Sequence, residues 1–579
     1  MELFLNQNFV KSQLYNISMQ EHNTFVLPII KQMMKQIVFL FLAVSLTLAG
    51  FAQKLGKADR LTIANLRAHL QYLADDKLEG RRTGTKGEEL AYQYIISQFE
   101  KCGLEPKGTN GFLQAFEVNE GKQVLASTLL IMDGEHFKVE KDFFPLAWSA
   151  NGSVESIASP GLAENGGPWF FDLKELLEQN QNNPHFDISH ALREKEKAAL
   201  SKGATALLLY NSSTLADNIK YNSKDRSAVS TIPVVYLNQS IVTKLQKDPA
   251  HTWDIKLKTV QSDKIRKGNN VVAFINNNAA TTIVLGAHYD HLGYGEDNNS
   301  RYTGTAAIHN GADDNASGTA ALLELARILK ANGSKKSNYL FIAFSGEELG
   351  LYGSKYYIDN PTVSLTTINF MINMDMVGRF SDSSKTITIG GVGTSPSWGS
   401  LLNGEKKMPF SIKIDSSGTG PSDHTSFYRK DIPVLFFFTG LHTDYHKPSD
   451  DFDKINYNGQ LKIVNYIARL VARTEAQNKL VFTKTREQQT TTSARFTVSM
   501  GIMPDYTFSG GGVKADGVSD GRAAQKAGIK AGDIITQLGD YNISSVESYM
   551  QALSKFKKGD AAKVKVKRGA EELVFDIVF

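Results

Sequence analysis

The feature that most restricts the fold is a series of apolar segments separated by helical patterns from Asn270 onwards. The segments VVAFIN, TTIVLGAHYD, NYLFIAFSG, INFMINMDMVG and IPVLFFFTG are almost continuously apolar, and the helical pattern GTAALLELARILK separates two of them. Strands that are apolar on both faces belong to a sheet covered by helices on both sides. The sequence therefore predicts an α/β fold with a mostly parallel sheet.

Carboxylates and histidines follow these strands at or near the points where the strands end. They occur in five short segments: GAHYDH (286–291), GADDNASG (311–318), SGEELG (345–350), NMDMVG (373–378) and HTDYHKPSDD (442–451). In open α/β sheets, sites form in the crevice beyond the carboxyl ends of the strands. Buried acids of like charge would repel one another there unless cations neutralised them. The pattern therefore predicts a metal centre.

In their order and spacing, the five segments resemble the dizinc aminopeptidase family of clan MH, which includes glutamate carboxypeptidases and zinc glutaminyl cyclases. The resemblance extends from about Leu61 to Glu475, apart from an insert. It implies a zinc exopeptidase fold, two Zn²⁺ ions as cofactors and a cis peptide bond after Asp314. The metal ligands that it implies are His288 and Asp375 for one zinc, Glu348 and His446 for the other, and Asp314 as the bridge between both.

The same resemblance implies three catalytic roles. Glu347 corresponds to the general base that takes a proton from the attacking water and passes it to the leaving amine. Asp290 corresponds to the carboxylate that orients the imidazole of His288, and Tyr445 to a phenol that stabilises the oxyanion.

Residues 416–428 resemble the family's substrate-cleft loop, which implies substrate contacts for Ser422, Asp423 and His424. A structural turn before a helix is an equally good interpretation of these three residues.

Two other regions differ in pattern from the sheet region. Residues 145–262, with KAALSKGATALLLYN and IPVVYLN, resemble a protease-associated domain, which carries no catalytic residues and lies over the cleft in that family. The C-terminal stretch, with AGIKAGDIITQLGD, resembles a mainly β PDZ domain and implies that Gly501 and Ile502 lie in a carboxylate-binding loop. A docking module with an unused groove is the alternative.

A targeting signal lies inside the sequence. Lys31 and Lys35 precede an apolar stretch from 37 to 48 and the small residues that follow it, a pattern typical of a signal peptide cleaved near Ala52. Export to the periplasm or the medium is therefore expected, with a short membrane anchor as the alternative. Translation from Met33, without the upstream residues, fits this signal better.

These features predict a division of the chain into consecutive parts. We expect an upstream extension with the signal peptide (1–52), the first part of the peptidase domain (53–144), the insert (145–262), the zinc peptidase core (263–482), a linker (483–493) and the PDZ domain (494–579).

The composition narrows the possible partners. A formal net charge of +4 over 579 residues gives no electrostatic case for nucleic acid, and the single cysteine, Cys102, cannot form an internal disulfide. We expect an exported metallo-aminopeptidase that acts on peptide or protein amino termini, with a possible peptide carboxyl terminus at the PDZ groove and no stable membrane span. A carboxypeptidase-like or glutaminyl-cyclase-like zinc enzyme and a non-catalytic peptide-binding protein are the alternatives.

Overall fold

The computed structural model of the chain describes residues 55–183, 186–225, 227–297, 299–405, 408–485, 498–505, 508, 510–518 and 521–579. The predicted signal peptide and residues 486–493 of the predicted linker lie outside these ranges. By their internal contacts, residues 63–579 form one unit and residues 1–62 another. Among the described residues, no helix has both the length and the apolar character that crossing a membrane requires.

The chain begins its first domain with two helices and two strands. Thr85 caps the second helix by accepting a hydrogen bond from the Glu88 amide, and Ala91, Ile95 and Phe99 form the buried stripe expected of an amphipathic helix. The elements are α1 (Lys57–Leu73), α2 (Lys86–Lys101), β1 (Glu105–Pro106) and β2 (Leu113–Val124).

The next strands form two four-stranded sheets, ordered β4-β3-β10-β6 and β5-β9-β8-β7. The first is antiparallel throughout, and the second contains the parallel pairs β7/β8 and β8/β9. Their strands span residues 129–259, and the boundaries of the insert at 145 and 262 stay a prediction. The elements are β3 (Leu129–Met132), β4 (Glu135–Phe137), β5 (Phe143–Pro145), β6 (Gly152–Ala158), β7 (Pro168–Asp172), α3 (Lys174–Asn180), α4 (Ile188–Ser201), β8 (Ala206–Tyr210), β9 (Val234–Leu237), α5 (Gln239–Lys247) and β10 (Trp253–Thr259).

A nine-stranded mixed sheet carries the five polar segments. Its order is β1-β11-β13-β12-β14-β17-β15-β16, with β2 also paired to β11. The central strands β13, β12, β14 and β17 are parallel to one another, which confirms a mixed sheet with a parallel centre. The outer pairs β1/β11, β2/β11, β11/β13 and β15/β17 are antiparallel. Its further elements are β11 (Gln261–Ile275), β12 (Thr282–His288), α6 (Gly318–Asn332), β13 (Asn338–Phe344), α7 (Tyr352–Asp359), β14 (Ile368–Met374), β15 (Thr386–Gly390), α8 (Trp398–Leu402), β16 (Ser411–Ile414), α9 (His424–Tyr428), β17 (Val434–Phe438) and α10 (Tyr457–Thr474).

The sheet is buried on both faces, as its continuous apolar strands predict. Ile283 and Leu285 of β12 pack into a cluster with residues of α6 and α10 on one face. Val284, between them in sequence, packs on the opposite face against Tyr357 and Phe427 from α7 and α9. Because successive side chains of a strand point to opposite faces, one run of apolar residues supplies both cores.

The C-terminal domain is a six-stranded sheet ordered β18-β19-β20-β22-β23, with β21 paired to β20. Ser545 and Ser548 form a capping box at the start of its longer helix. The domain is β-rich, as predicted. Its elements are β18 (Ile502–Pro504), β19 (Val513–Val518), α11 (Ala523–Ala527), β20 (Ile534–Leu538), β21 (Tyr541–Asn542), α12 (Val546–Leu553), β22 (Ala561–Arg568) and β23 (Glu571–Val578).

A buried glutamate joins the start of α2 to the large sheet. Glu88, 1% exposed, accepts hydrogen bonds from the amides of Gly84 (2.6 Å) and Asn269 (3.0 Å) and from the hydroxyl of Ser345 (2.6 Å). Burial raises the pKa of Glu88 to about 7 although these donors favour its ionised form. This carboxyl group therefore ties three chain segments together close to the SGEELG segment.

The raised pKa of Glu88 predicts a specific pH dependence of stability. Because the folded pKa exceeds the unfolded value of about 4.5, stability from protonated Glu88 is complete below that pH and is lost as pH rises through about 7. The difference in unfolding free energy between wild type and Glu88→Gln should change by about 3 kcal/mol between pH 4.5 and pH 8, measured by urea denaturation. Glu89→Gln, a substitution at the partly exposed neighbouring position on α2, should show the same dependence of unfolding free energy on pH as wild type. If Glu88→Gln also shows the wild-type dependence, the raised pKa of Glu88 is contradicted.

Candidate metal centre

Four parallel strands bring the polar segments to one edge of the large sheet. β12 ends at His288, β14 is followed directly by Asp375, and β13 is followed by the Ser345–Glu348 segment. These strands and β17 are neighbours, so their carboxyl ends share one crevice. The site residues predicted from the sequence therefore lie at the same edge of the sheet.

Asp314 lies between two groups of potential ligands. Its Oδ1 is 3.3 Å from Nε2 of His288, and its Oδ2 is 3.2 Å from Nε2 of His446. Nε2 of His288 is also 3.4 Å from Oδ1 of Asp375, and Nε2 of His446 is 3.2 Å from Oε2 of Glu348. The five residues that the sequence proposes as ligands thus form two groups that share one carboxylate.

The backbone around Asp314 has the local geometry that the resemblance implied. The peptide bond between Asp314 and Asn315 is cis. Asp450 supports this turn, because its Oδ2 accepts hydrogen bonds from the amides of Asp313 (2.9 Å) and Asp314 (3.1 Å). The shared carboxylate is therefore held by the backbone as well as by its neighbours.

Carbonyl groups orient both imidazoles. Nδ1 of His288 is 3.2 Å from the carbonyl oxygen of Asp290, and Nδ1 of His446 is 2.8 Å from the carbonyl oxygen of Asn299. A proton on each Nδ1 leaves the Nε2 lone pair free for a metal ion.

The carboxylate of Asp290 lies beside His288 without a short contact to its ring. Its Oδ1 is 3.6 Å from Nδ1 of His288. It accepts hydrogen bonds from the hydroxyl of Thr83 (3.0 Å) and the amide of Glu347 (3.2 Å). Its orienting role stays a proposal.

The side chains fit divalent ions. His288, Asp314 and Asp375 offer ligand atoms within 4.8 Å of one another, and so do His291, Asp314 and Glu348. Nε2 of His288 is buried and has no hydrogen-bond partner among the described residues, although it faces two carboxylates. Imidazole nitrogen and carboxylate oxygen are zinc ligands in proteins, so each group could hold one ion.

The electrostatics of the cluster favour bound cations. Burial opposes ionisation of Asp314, but neighbouring His288 and His446 outweigh it and hold the pKa of Asp314 well below its usual range. Burial also opposes ionisation of Glu348, but His446 and His291 outweigh it and lower the pKa of Glu348 to about 2. Burial of His446 opposes its protonation, but Glu348 and Asp314 outweigh it and raise the pKa of His446 to about 11. The imidazoles and the ionised acids thus carry opposite charges, and bound metal ions would take over the positive charge.

Glu347 differs from its neighbour Glu348. Its Oε2 is 3.9 Å from Nε2 of His288, so its carboxyl group faces the same space as the ligands. Burial, together with Asp375 and Glu348, raises its pKa well above the usual value. Glu347 therefore holds a proton more tightly than a free glutamate does, and burial raises the pKa of Asp375 as well.

Tyr445 lies on the rim of the cluster. Its ring stacks on the imidazole of His446, with centroids 3.9 Å apart, and the guanidinium of Arg301 lies 5.7 Å from the Tyr445 ring centroid. Burial raises the pKa of Tyr445, so the phenol keeps its proton and remains a hydrogen-bond donor.

The three residues predicted to contact substrate are buried. Ser422 donates a hydrogen bond to Oδ2 of Asp375 (2.8 Å) and accepts one from Asn373 (2.8 Å), so it positions a candidate ligand. Asp423 is 0% exposed, and burial raises its pKa to about 7. His424, 1% exposed, stacks on Phe436, and burial lowers its pKa to about 3. Substrate contact by these side chains stays a prediction.

Sequence reasoning missed two residues of the centre. His291, 2% exposed, places Nδ1 2.7 Å from Oε1 of Glu348, and its position in GAHYDH was the available signal. Arg81, 1% exposed, donates within the described residues to backbone carbonyls, those of Tyr289 (2.8 Å), Asn310 (2.6 Å), Gly311 (3.0 Å) and Leu73. No sequence signal identifies Arg81, because its partners are backbone groups of distant segments.

Family models match two parts of the chain. Residues 270–471 match the model of peptidase family M28, and residues 486–578 match that of the PDZ domain. The first match contains all five polar segments.

Several curated proteins are similar in sequence. Aminopeptidase YwaD of Bacillus subtilis (strain 168) is 28% identical over 282 residues, which is 45% of this chain and 55% of that protein. The probable lipoprotein aminopeptidase LpqL of Mycobacterium tuberculosis is 24% identical over 418 residues, 66% of this chain and 75% of that protein. The chain thus spans about half the length of the first of these relatives and three quarters of the second.

Several solved structures align with most of this chain. The zinc aminopeptidase BSAP from Bacillus subtilis aligns at a TM-score of 0.40 with 22% identity, over 74% of this chain and 96% of that chain. Porphyromonas gingivalis glutaminyl cyclase aligns at 0.38 with 14% identity, over 71% and 98%.

Arg81 is predicted to hold the two loops of the centre together. Arg81→Met should lower the unfolding free energy by at least about 3 kcal/mol, because it leaves buried carbonyls without donors. Urea denaturation of the wild type and the variant measures this loss. Arg469→Met, whose side chain is 50% exposed on α10, should stay within about 0.5 kcal/mol of wild type. Equal stability of Arg81→Met and wild type would refute the role of Arg81.

Proposed function

Because residues 270–471 form a peptidase family M28 domain, we propose that the protein is a dizinc aminopeptidase that removes residues from the amino termini of peptides. The observation that carries this proposal is the position of Asp314 between two histidine–carboxylate groups. Relatives named as aminopeptidases support the proposed reaction class.

In the proposed enzyme, His288 and Asp375 hold one zinc ion, Glu348 and His446 hold the second, and Asp314 bridges both. When bound, the two ions supply Lewis acidity that polarises the scissile carbonyl and lowers the pKa of water. His291, in contact with Glu348, either orients that carboxylate or contributes a further nitrogen ligand.

Glu347 is the proposed general base. A carboxylate oxygen of Glu347 accepts a proton from the attacking water and later delivers it to the nitrogen of the leaving amine. The amide of Glu347 donates to Oδ1 of Asp290, which fixes the backbone that carries this side chain. The two adjacent glutamates have different proposed roles, because Glu348 lies beside His446 as a metal ligand while Glu347 lies beside His288 as the base.

Tyr445 is the proposed oxyanion donor. Its protonated phenol lies at the rim beside His446, where it can donate a hydrogen bond to charge that develops on the carbonyl oxygen. Stacking on His446 limits the movement of the ring, so the donor is positioned before the reaction.

The flanking parts support further proposals. We propose that Gly501, with a φ of +82°, and Ile502 form a loop that captures a peptide carboxyl terminus beside β18. We also propose export after cleavage near Ala52, which the name of one relative, a probable lipoprotein aminopeptidase, supports.

The general-base assignment predicts a large loss of rate without a loss of metal. With leucine p-nitroanilide as substrate, Glu347→Gln should lower kcat by about 10²–10⁴-fold. Chelator should abolish the wild-type activity, and the amino-blocked substrate should not be cleaved. Glu89→Gln, an exposed substitution on α2, is the matched control and should keep wild-type activity. If the zinc-loaded wild type leaves every free-amine substrate intact, the aminopeptidase proposal fails.

The bridging role of Asp314 predicts the metal stoichiometry. Wild-type protein should retain two zinc ions per chain after dialysis, measured by mass spectrometry of the metal. Asp314→Asn should lose both, since the amide removes the shared negative charge, whereas Asp375→Asn should mainly lose one. Retention of both ions by Asp314→Asn would contradict the bridge.

A further inference from the structure

A large cleft extends from Glu348, one of the candidate zinc ligands, to the PDZ domain. It has a volume of about 910 Å³ and is lined by Glu348 and Tyr352 of the M28 domain, by Tyr221 of the insert region, and by Asp505 and Ser545 of the PDZ domain. We call it the three-domain cleft. Pockets that bind small ligands have volumes of about 300–1,000 Å³, so the cleft lies at the upper end of this range and has room for a peptide. A candidate zinc ligand and the PDZ domain therefore face one continuous space.

The PDZ strand that would pair with a peptide is β18, and the residue that follows it, Asp505, lines this cleft. β18 is the last strand in the sheet order and pairs with β19 along one edge only, within the described residues. A peptide whose carboxylate is held at Gly501 and Ile502 would add to the other edge of β18. Running antiparallel to β18, its upstream residues pass Pro504 and reach Asp505, which lines the cleft.

Contacts hold the PDZ domain in this position. Nζ of Lys355 in α7 is 2.8 Å from Oδ1 of Asp505, and these side chains are only 16% and 9% exposed. On the other side, the amide of Asn542 in β21 lies 3.4 Å from Oδ2 of Asp187, which caps α4. Because α7 follows directly on the SGEELG segment, the ion pair joins the end of β18 to the chain that carries Glu347 and Glu348.

The charged groups of the cleft wall are largely paired with one another. Arg82 binds Asp297 through two nitrogens, at 2.8 and 2.9 Å, and Glu120 at 3.0 Å. Arg266 shares the same two acids, at 3.5 and 3.1 Å. Such a wall does not select ligands by net charge, which fits a peptide that is recognised by its main chain and its two ends.

We propose that one substrate molecule occupies both sites: its amino terminus lies at the metal centre and its carboxyl terminus in the PDZ groove. The substrate class is then an oligopeptide with a free carboxylate and enough residues to span the three-domain cleft. The PDZ domain then selects substrates by length, because only a peptide long enough to reach Gly501 from the metal centre can also bind through its carboxylate. This inference rests on the proposed aminopeptidase function.

The test is a length series on the full chain. The peptides Leu-(Ala-Ser)n-Ala-Val, with n from 0 to 5, are compared as free acids and as carboxyl-terminal amides, and released leucine is measured. The ratio of kcat/KM for acid over amide should be near 1 at n = 0 and should rise about 10-fold or more above one length, because tethering raises the effective concentration at the second site. The rise should appear mainly in KM.

Variants of the ion pair test the position of the PDZ domain. Asp505→Asn and Lys355→Gln should each remove the step in the ratio, whereas Lys563→Gln, exposed on β22, should keep it. The ratio compares two substrates on the same variant, so a smaller fraction of folded protein lowers both kcat/KM values equally and leaves the ratio unchanged. Fluorescence anisotropy of a labelled, amino-blocked Ala-Ser-Ala-Val acid should show that Asp505→Asn still binds a carboxyl terminus.

The outcomes separate this inference from the proposed function. A flat ratio up to n = 5 or a high ratio already at n = 0 overturns the two-site substrate while leaving the aminopeptidase in place. An intact step in both ion-pair variants overturns the positioning of the PDZ domain by the Lys355–Asp505 pair. Leucine p-nitroanilide lacks a carboxylate and reports the metal centre alone. If it is not cleaved, the proposed function fails and this inference fails with it.

Discussion

The structure depends on the concentration of negative charge at one edge of the large sheet. Asp314, Glu347, Glu348 and Asp375 approach the same two imidazoles, and all four side chains are largely buried. Acids so close together in a medium of low polarity repel one another strongly unless positive charge lies between them. Without metal, His288 and His446 supply that charge, and divalent ions would supply it more completely. The site is therefore built for cations before any substrate is considered.

Keeping these acids together requires support from groups that are not ligands. Arg81 donates hydrogen bonds to carbonyl oxygens on both sides of the crevice. Burial lowers its pKa to about 10, so the guanidinium stays charged at neutral pH and places a fixed positive charge near Asp290 and Asp314. Asp450 holds the amides that precede the cis bond. The ligand geometry is thus determined by backbone contacts between loops, which resist the repulsion of the ligands.

The regions that flank the M28 domain form part of the walls of a cleft that reaches Glu348. The three-domain cleft has walls from all three regions, and the Lys355–Asp505 pair fixes one of them beside α7. Because both partners of that pair are largely buried, its charges are less screened by solvent than those of a surface pair.

The sequence by itself determined the sheet, the M28 and PDZ domains and the set of candidate ligands. Continuous apolar strands can only be buried on both faces, and acids at the ends of parallel strands must meet at one edge, so the sheet and a metal centre follow from local pattern. The two domains and the individual candidate ligands follow from the resemblance of their motifs to known families. The tertiary structure alone decided which side chains face the ligands. Ser422, Asp423 and His424 share one segment, yet packing directs Ser422 to Asp375 and buries the other two. Arg81 and the ion pair of Lys355 with Asp505 gave no sequence signal, because each depends on partners far away in the chain that only folding brings within hydrogen-bond distance.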